Sequence, residues 1–315
     1  MRLKAAAEAV VKACLGVRPG ETFLVITDTE KEPIGRAIFE AGLEAGAEAI
    51  AVVMKPRTRH GEEPPKPVAE MWAHVDAFVA PTKFSLTHTQ ARKNATAAGA
   101  RGATMPGITE EMFVETMGID YGKVKEYCER LNAAFRGAEV IRVRSPLGTD
   151  LTASIEGRST LMDTGMLHNR GDFGNLPAGE VFIAPVEGTA SGTIVFDGSM
   201  AGIGVLSEPI RIEVRDGYAI NISGGEADRL RKLLEPVGRE AYNIAEIGVG
   251  CNFGARIVGN VLEDEKVFGT VHIALGDNST IGGKVRAGIH LDGLVKEPTL
   301  ILDEKEIIKN GKWLV

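Results

Sequence analysis

Residues 22–54 read TFLVITDTEKEPIGRAIFEAGLEAGAEAIAVVM. Phe23-Leu24-Val25-Ile26 is an unbroken apolar run, which suits a strand covered on both faces. Asp28 and Thr29 then offer caps for a helix through Glu44, which Gly46 closes. Ala49 to Met54 forms the next strand. A strand–helix–strand order implies a parallel sheet with right-handed crossovers. Upstream, Leu3, Ala6, Ala7, Val10, Val11 and Cys14 recur at helical spacing, and Gly16 ends that segment. Downstream, Val75 to Ala80 reads as a third strand. The turn after Ile26 carries no GxGxxG, and no Walker A sequence occurs, so this part reads as a scaffold and not as a nucleotide site.

Residues 55–68 (KPRTRHGEEPPKPV) read as a charged, Pro-rich surface loop. Ser85, Thr87, His88, Thr89 and Arg92 open a helix behind the third strand. The carboxyl end of a strand is where open α/β sheets take ligands, so His88 and Arg92 are candidate substrate contacts. Thr109 to Arg136 is helical, with a Met and aromatic stripe assigned to the core. Near residue 138 the texture changes to short strands joined by Gly turns, interrupted by one helix over Glu226–Leu234 and closed by a hairpin at Asn310-Gly311. The expected architecture is α/β: a parallel-sheet domain over residues 1–137, then an α+β, largely antiparallel domain over 138–315 that carries a metal site.

The 315 residues carry a net charge of −7 with interspersed signs, which argues against nucleic acid or an anionic membrane as partner. Cys14, Cys128 and Cys251 lack CxxC spacing and suit a reducing compartment. No stretch is long and apolar enough to span a bilayer, and the N-terminus is too charged for a signal peptide. A cytoplasmic protein is expected.

The chemistry concentrates in the last third. Glu180 lies in PAGEVFIAP, Glu246 in AEIGVG, His272 in TVHIALG, and His290 and Asp292 in IHLDG. On a strand, positions i and i+2 share a face, so His290 and Asp292 can grip one ion. His272 alone would read as a hydrogen-bonded core histidine. The turn at Gly282-Gly283 brings it back against IHLDG, which favours a ligand. A Glu buried without a partner becomes neutral, whereas a metal keeps it ionised. Five such groups suffice for two divalent ions roughly 3.5–4 Å apart, with Glu246 as ligand, bridge or general base. Glu263, Asp264 and Glu265 in LEDEK read as a solvated turn, with Glu263 or Glu265 at most behind the ligands. Asp150 and Asp163 read as turn residues.

These segments, together with SLTHTQARKNATAAGARGATMPGIT and SPLGTDLTASIEGR, resemble the aminopeptidase T family of metallopeptidases over nearly the whole chain. The resemblance implies a homodimer of two-domain subunits. It also implies a two-metal centre (Zn, Co or Mn) on Glu180, Glu246, His272, His290 and Asp292, and release of N-terminal residues from peptides with Glu246 as the catalytic carboxylate. Two departures stand out. Gly276 to Thr280 holds no tyrosine where those peptidases carry a catalytic one, and the segment from His272 to His290 is short. A relative of that family, 2,5-dihydroxypyridine dioxygenase, binds a single Fe(II) and acts on a small molecule. His272, His290 and Asp292 form the two-His, one-carboxylate set of such iron sites. Hydrolase is the leading expectation and mononuclear dioxygenase the alternative.

Overall fold

The computed structural model describes residues 2–315. The chain divides into two compact units, Met1–Lys125 with Asp163–Ala178, and Glu126–Met162 with Gly179–Val315. In the first unit, helix α1 (Arg2–Glu8) runs into a wider π-turn over Ala9–Cys14. There follow β1 (Thr22–Asp28), α2 (Glu32–Glu44), β2 (Glu48–Met54), α3 (Lys66–Trp72), β3 (Ala77–Thr82), α4 (Gln90–Ala97), β4 (Arg101–Pro106) and α5 (Glu110–Met117). Helix α6 (Tyr121–Phe135) carries the chain onward. The second unit contributes β5 (Val140–Arg144) and β6 (Asp150–Ser154), and β7 (Leu161–Asp163) leads back to β8 (Phe173–Asn175) of the first.

The parallel sheet runs β2-β1-β3-β4-β8. Strands β1 and β3 lie inside it and are buried almost throughout, as the unbroken apolar run requires. Trp72 packs edge-on against Phe78 at 5.0 Å, filling the core on one face. At the end of β1 the buried Asp28 carboxylate accepts the amides of Glu30, Lys31 and Lys83, so a side chain fills the strand-to-helix turn. Strand β4 was not evident from RGATMP. Its Arg101 is buried against Glu21 at 2.6 Å and donates to the carbonyls of Leu15 and Gly16, a tertiary pairing that overrides local propensity.

The rest of the second unit comprises β9 (Glu180–Ile183), β10 (Ser191–Phe196), β11 (Ser199–Met200), β12 (Gly204–Val205), β13 (Ile210–Arg215), β14 (Tyr218–Gly224) and α7 (Ala227–Leu234). Then come β15 (Ile244–Gly250), α8 (Val261–Asp264), β16 (Val271–Gly276), β17 (His290–Val295), β18 (Thr299–Leu302), β19 (Lys305–Lys309) and β20 (Lys312–Trp313). One antiparallel sheet runs β14-β13-β10-β6-β5-β18-β19-β20. Two of its tight turns, Asp216-Gly217 and Asn310-Gly311, have all four residues at positive φ, as the primed hairpin turns require. Asp150 and Asp163, read as turn residues, lie in β6 and β7, and Asp150 pairs across the sheet with Arg142 at 2.7 Å. A second sheet holds β17, β16, β15 and β9 side by side. The fold is α/β, a parallel-sheet unit and antiparallel sheets, as the sequence led us to expect. Among the described residues no helix is long and apolar enough to cross a membrane.

Candidate metal centre

The strand register of the second sheet puts all five candidate groups on one face. Glu180 pairs with Gly250, Gly248 with His272, Glu246 with Ala274, Ala274 with Asp292, and Gly276 with His290. Directly paired residues share a face, and so do alternate residues along a strand. The face therefore reads Glu246-Gly248-Gly250 on β15, His272-Ala274-Gly276 on β16 and His290-Asp292 on β17. Small residues alternate with the chelating ones, which leaves room above the sheet for five polar side chains. The sequences AEIGVG and VHIALG carry this signal in their period of two.

His272 Nε2 lies 3.2 Å from Glu246 Oε1 and 3.3 Å from Glu180 Oε2. His290 Nε2 lies 3.4 Å from Glu246 Oε2 and 3.5 Å from Asp292 Oδ1. Two three-residue groups result, Glu180/Glu246/His272 and Glu246/His290/Asp292, with Glu246 in both and the donor atoms of each within 4.8 Å of one another. His272 is wholly buried, whereas the His290 side chain is 33% exposed and forms the open side.

The donors fit a cation. His290 Nδ1 is 2.7 Å from the Asp277 carbonyl, an acceptor, so Nδ1 carries the hydrogen and Nε2 presents a bare lone pair. That lone pair faces carboxylate oxygens, an arrangement attractive only with a proton or metal ion between. Asp277 is in turn fixed by its own carboxylate, which accepts the amides of Ser279, Ala287 and Gly288. Burial would raise the Asp277 pKa, but these bonds and the Ser279 hydroxyl bring it down to about 2. The stretch lacking a tyrosine thus builds the loop that aims His290.

Charge follows the same logic. Burial pushes His272 down, yet its bond to Glu246 and the charges of Glu180, Glu246 and Asp292 win and raise it to about 9. His290 is raised likewise, against burial, by Asp292 and Glu246. Burial would raise Asp292, but His290 beside it brings it down to about 2. Without metal, protons stand where a metal would bind. Because the folded value of His272 exceeds its ordinary 6.5, the stabilisation it gives is complete below pH 6.5 and is lost as pH rises through 9. The metal-free protein should therefore lose thermal stability across that window, and saturating Mn²⁺ should flatten the decline. A metal-free melting temperature that climbs from pH 6.5 to 9 would contradict this account.

LEDEK is no solvated turn: Glu263, Asp264 and Lys266 are buried. Asp264 accepts the Val258 amide at 2.7 Å, and Glu263 accepts that of Arg256 at 2.9 Å. Lys266 Nζ sits 2.5 Å from both Glu180 Oε1 and Glu265 Oε1. Burial and the charges of Glu180 and Asp292 raise Glu265 to about 8 despite Lys266. Sequence reasoning missed Lys266 altogether.

His88 and Arg92 belong to the first unit. The Arg92 guanidinium stacks on Phe173 at 4.0 Å, its Nε donates to the Thr87 carbonyl, and burial lowers its pKa.

The family model for 2,5-dihydroxypyridine 5,6-dioxygenase (NicX) matches residues 2–315. The chain belongs to this family. A family protein named 2,5-dihydroxypyridine 5,6-dioxygenase, from Pseudomonas putida KT2440, is 28% identical over 191 residues, 55% of this chain and 54% of that one. The match thus spans about half the length of that curated relative. The solved 2,5-dihydroxypyridine dioxygenase of the same organism superposes with a TM-score of 0.83 at 21% identity, covering 99% of this chain and 97% of that one. Wild-type AmpT from Thermus thermophilus superposes with a TM-score of 0.72 at 20% identity, covering 100% and 99%. At such identities both superpositions report fold alone.

The family match overturns the leading expectation. The chain is grouped with dioxygenases, and the hydrolase, aminopeptidase and metallopeptidase reading, with its peptide substrate, is withdrawn. Its likeness to aminopeptidase T is structural. The reason is physical: motifs such as AEIGVG and VHIALG encode how strands make room for chelating side chains, and one scaffold supports different chemistries.

Proposed function

We propose that this protein is a metal-dependent dioxygenase that opens a dihydroxylated nitrogen-heteroaromatic ring, with one Fe(II) held by His272, His290 and Asp292 and with Glu246 against both imidazoles. The reading rests on one conjunction: a dioxygenase family match along residues 2–315 and imidazole and carboxylate groups gathered on one sheet face of the same chain. Imidazole with carboxylate is the ligand type of non-haem iron oxygenases, so Fe(II) replaces the Zn, Co or Mn of the hydrolytic reading.

Bound Fe(II) would supply the redox chemistry that lets dioxygen react with an electron-rich ring. The chain's own residues orient and hold protons. Asp277 keeps the Nδ1 hydrogen of His290 engaged, so Nε2 stays free to bind. Glu246, hydrogen-bonded to His272 and facing His290, is the carboxylate placed to take a proton released by a ring hydroxyl. Burial of His272 and Glu246 keeps bulk water from them. His88 and Arg92 are proposed substrate contacts.

The test is oxygen uptake on 2,5-dihydroxypyridine by protein loaded anaerobically with Fe(II). The expected result is stoichiometric loss of oxygen and ring absorbance, abolished by a chelator, with a raised KM in His88→Ala. Release of p-nitroaniline from leucine-p-nitroanilide, with no oxygen consumed on the ring substrate, would refute the proposal.

A further inference from the structure

Lys266 is a fully enclosed ammonium at the edge of the site, 2% exposed. It reaches back from the segment between α8 and β16 to Glu180 on β9, 86 positions earlier in the chain. An isolated buried ammonium is strongly disfavoured, and Lys266 is held in place by 2.5 Å contacts to Glu180 Oε1 and Glu265 Oε1. Each oxygen of Glu180 has one neighbour of interest: Oε1 takes the ammonium, and Oε2 faces His272 Nε2 at 3.3 Å. A metal ion in the Glu180/Glu246/His272 group would bind Oε2 of the very carboxylate whose other oxygen carries a fixed positive charge. In so enclosed a place the two cations would repel strongly, and water could not screen them.

We infer that Lys266 is a built-in cation that decides metal stoichiometry: it takes up Glu180 and so restricts the site to one ion. The sequence encodes the restriction in the single basic residue of LEDEK, placed by α8 beneath Glu180. The side chain acts through Glu180 and is a positioning residue. This inference rests on the one-ion reading above and extends it to the residue that enforces it.

The experiment is a calorimetric titration of metal-free protein with Mn²⁺, with bound metal counted by elemental analysis. Wild type should take one ion per chain. Lys266→Met, which keeps the length and removes the charge, should gain a second ion with affinity raised at least tenfold over any second binding in wild type. Lys266→Gln should do the same and serves if the methionine variant does not fold. Adding Glu180→Gln to either should abolish the second ion, showing where it sits. Two ions of comparable affinity in wild type, or one ion in every Lys266 variant, would overturn the inference. Absence of any bound Mn²⁺ in wild type would instead strike at the metal-centre reading itself. No turnover is needed, so the two failures are distinguishable.

Discussion

Replacing Glu246 by glutamine is expected to weaken divalent metal binding by about 10–100-fold, the cost of losing a group that stands behind the ligands and orients them. Glu246 is common to both chelating groups, with Oε1 3.2 Å from His272 and Oε2 3.4 Å from His290. Glutamine keeps the shape and the strand but removes the negative charge between two imidazoles. It also turns one oxygen into an NH₂ group, which donates and cannot bind a metal. The same change withdraws a main cause of the raised His272 and His290 values, so both rings should titrate lower in metal-free protein. Two measurements check this: Mn²⁺ affinity by titration, and the imidazole titrations by NMR. Unchanged affinity in a folded Glu246→Gln protein would mean that Glu246 has no part in holding the ion. Asp292→Asn gives a comparison, since Asp292 belongs to one chelating group, with Oδ1 3.5 Å from His290 Nε2. It should weaken the ion while leaving the His272–Glu246 hydrogen bond in place.

What could be read in the chain beforehand divides along a physical line. The parallel sheet was legible in Phe23–Ile26 because a strand covered on both faces has no polar alternation to hide it. The grouping of His290 with Asp292 was legible because i and i+2 share a face whatever surrounds the strand. Glu180, Glu246 and His272 came together for the same reason, their neighbours being glycine and alanine. By contrast, LEDEK looked like solvated surface because charge runs usually are. It is buried because Lys266 finds Glu180 from 86 positions away, and no local pattern records such a partner. Strand β4 was hidden for a like reason, since Arg101 is buried only by virtue of Glu21. The reaction was the least legible part: ligand-bearing strands are a property of a scaffold shared with AmpT, and the long motifs report that scaffold.

The scaffold's demands are sharpest at Gly248, where alanine should cost both metal and stability. A Cβ there would lie 1.9 Å from His272 Nε2, 2.4 Å from Cε1 and 2.8 Å from Cδ2, so the imidazole lies flat across the glycine. Gly248 and His272 are partners in the β15–β16 register, so the strands cannot slide apart to make room without breaking the sheet. The ring has to rotate, and rotation takes Nε2 away from Glu246 and Glu180. Overpacking of this kind typically costs about 1–3 kcal/mol. The expected outcome for Gly248→Ala is a loss of that order in metal-free stability, together with metal affinity reduced at least tenfold. His272→Ala separates this cause from generic damage to the strand. If the ring is what the methyl strikes, removing it should relieve the strain, and the double variant Gly248→Ala/His272→Ala should be more stable than the additive expectation from the two singles. Sites in direct contact show such non-additivity at about 0.5–3 kcal/mol. Strict additivity in thermal or denaturant unfolding would show that the imidazole does not occupy the space above Gly248, and with it the face on which the five chelating groups meet would have to be redrawn.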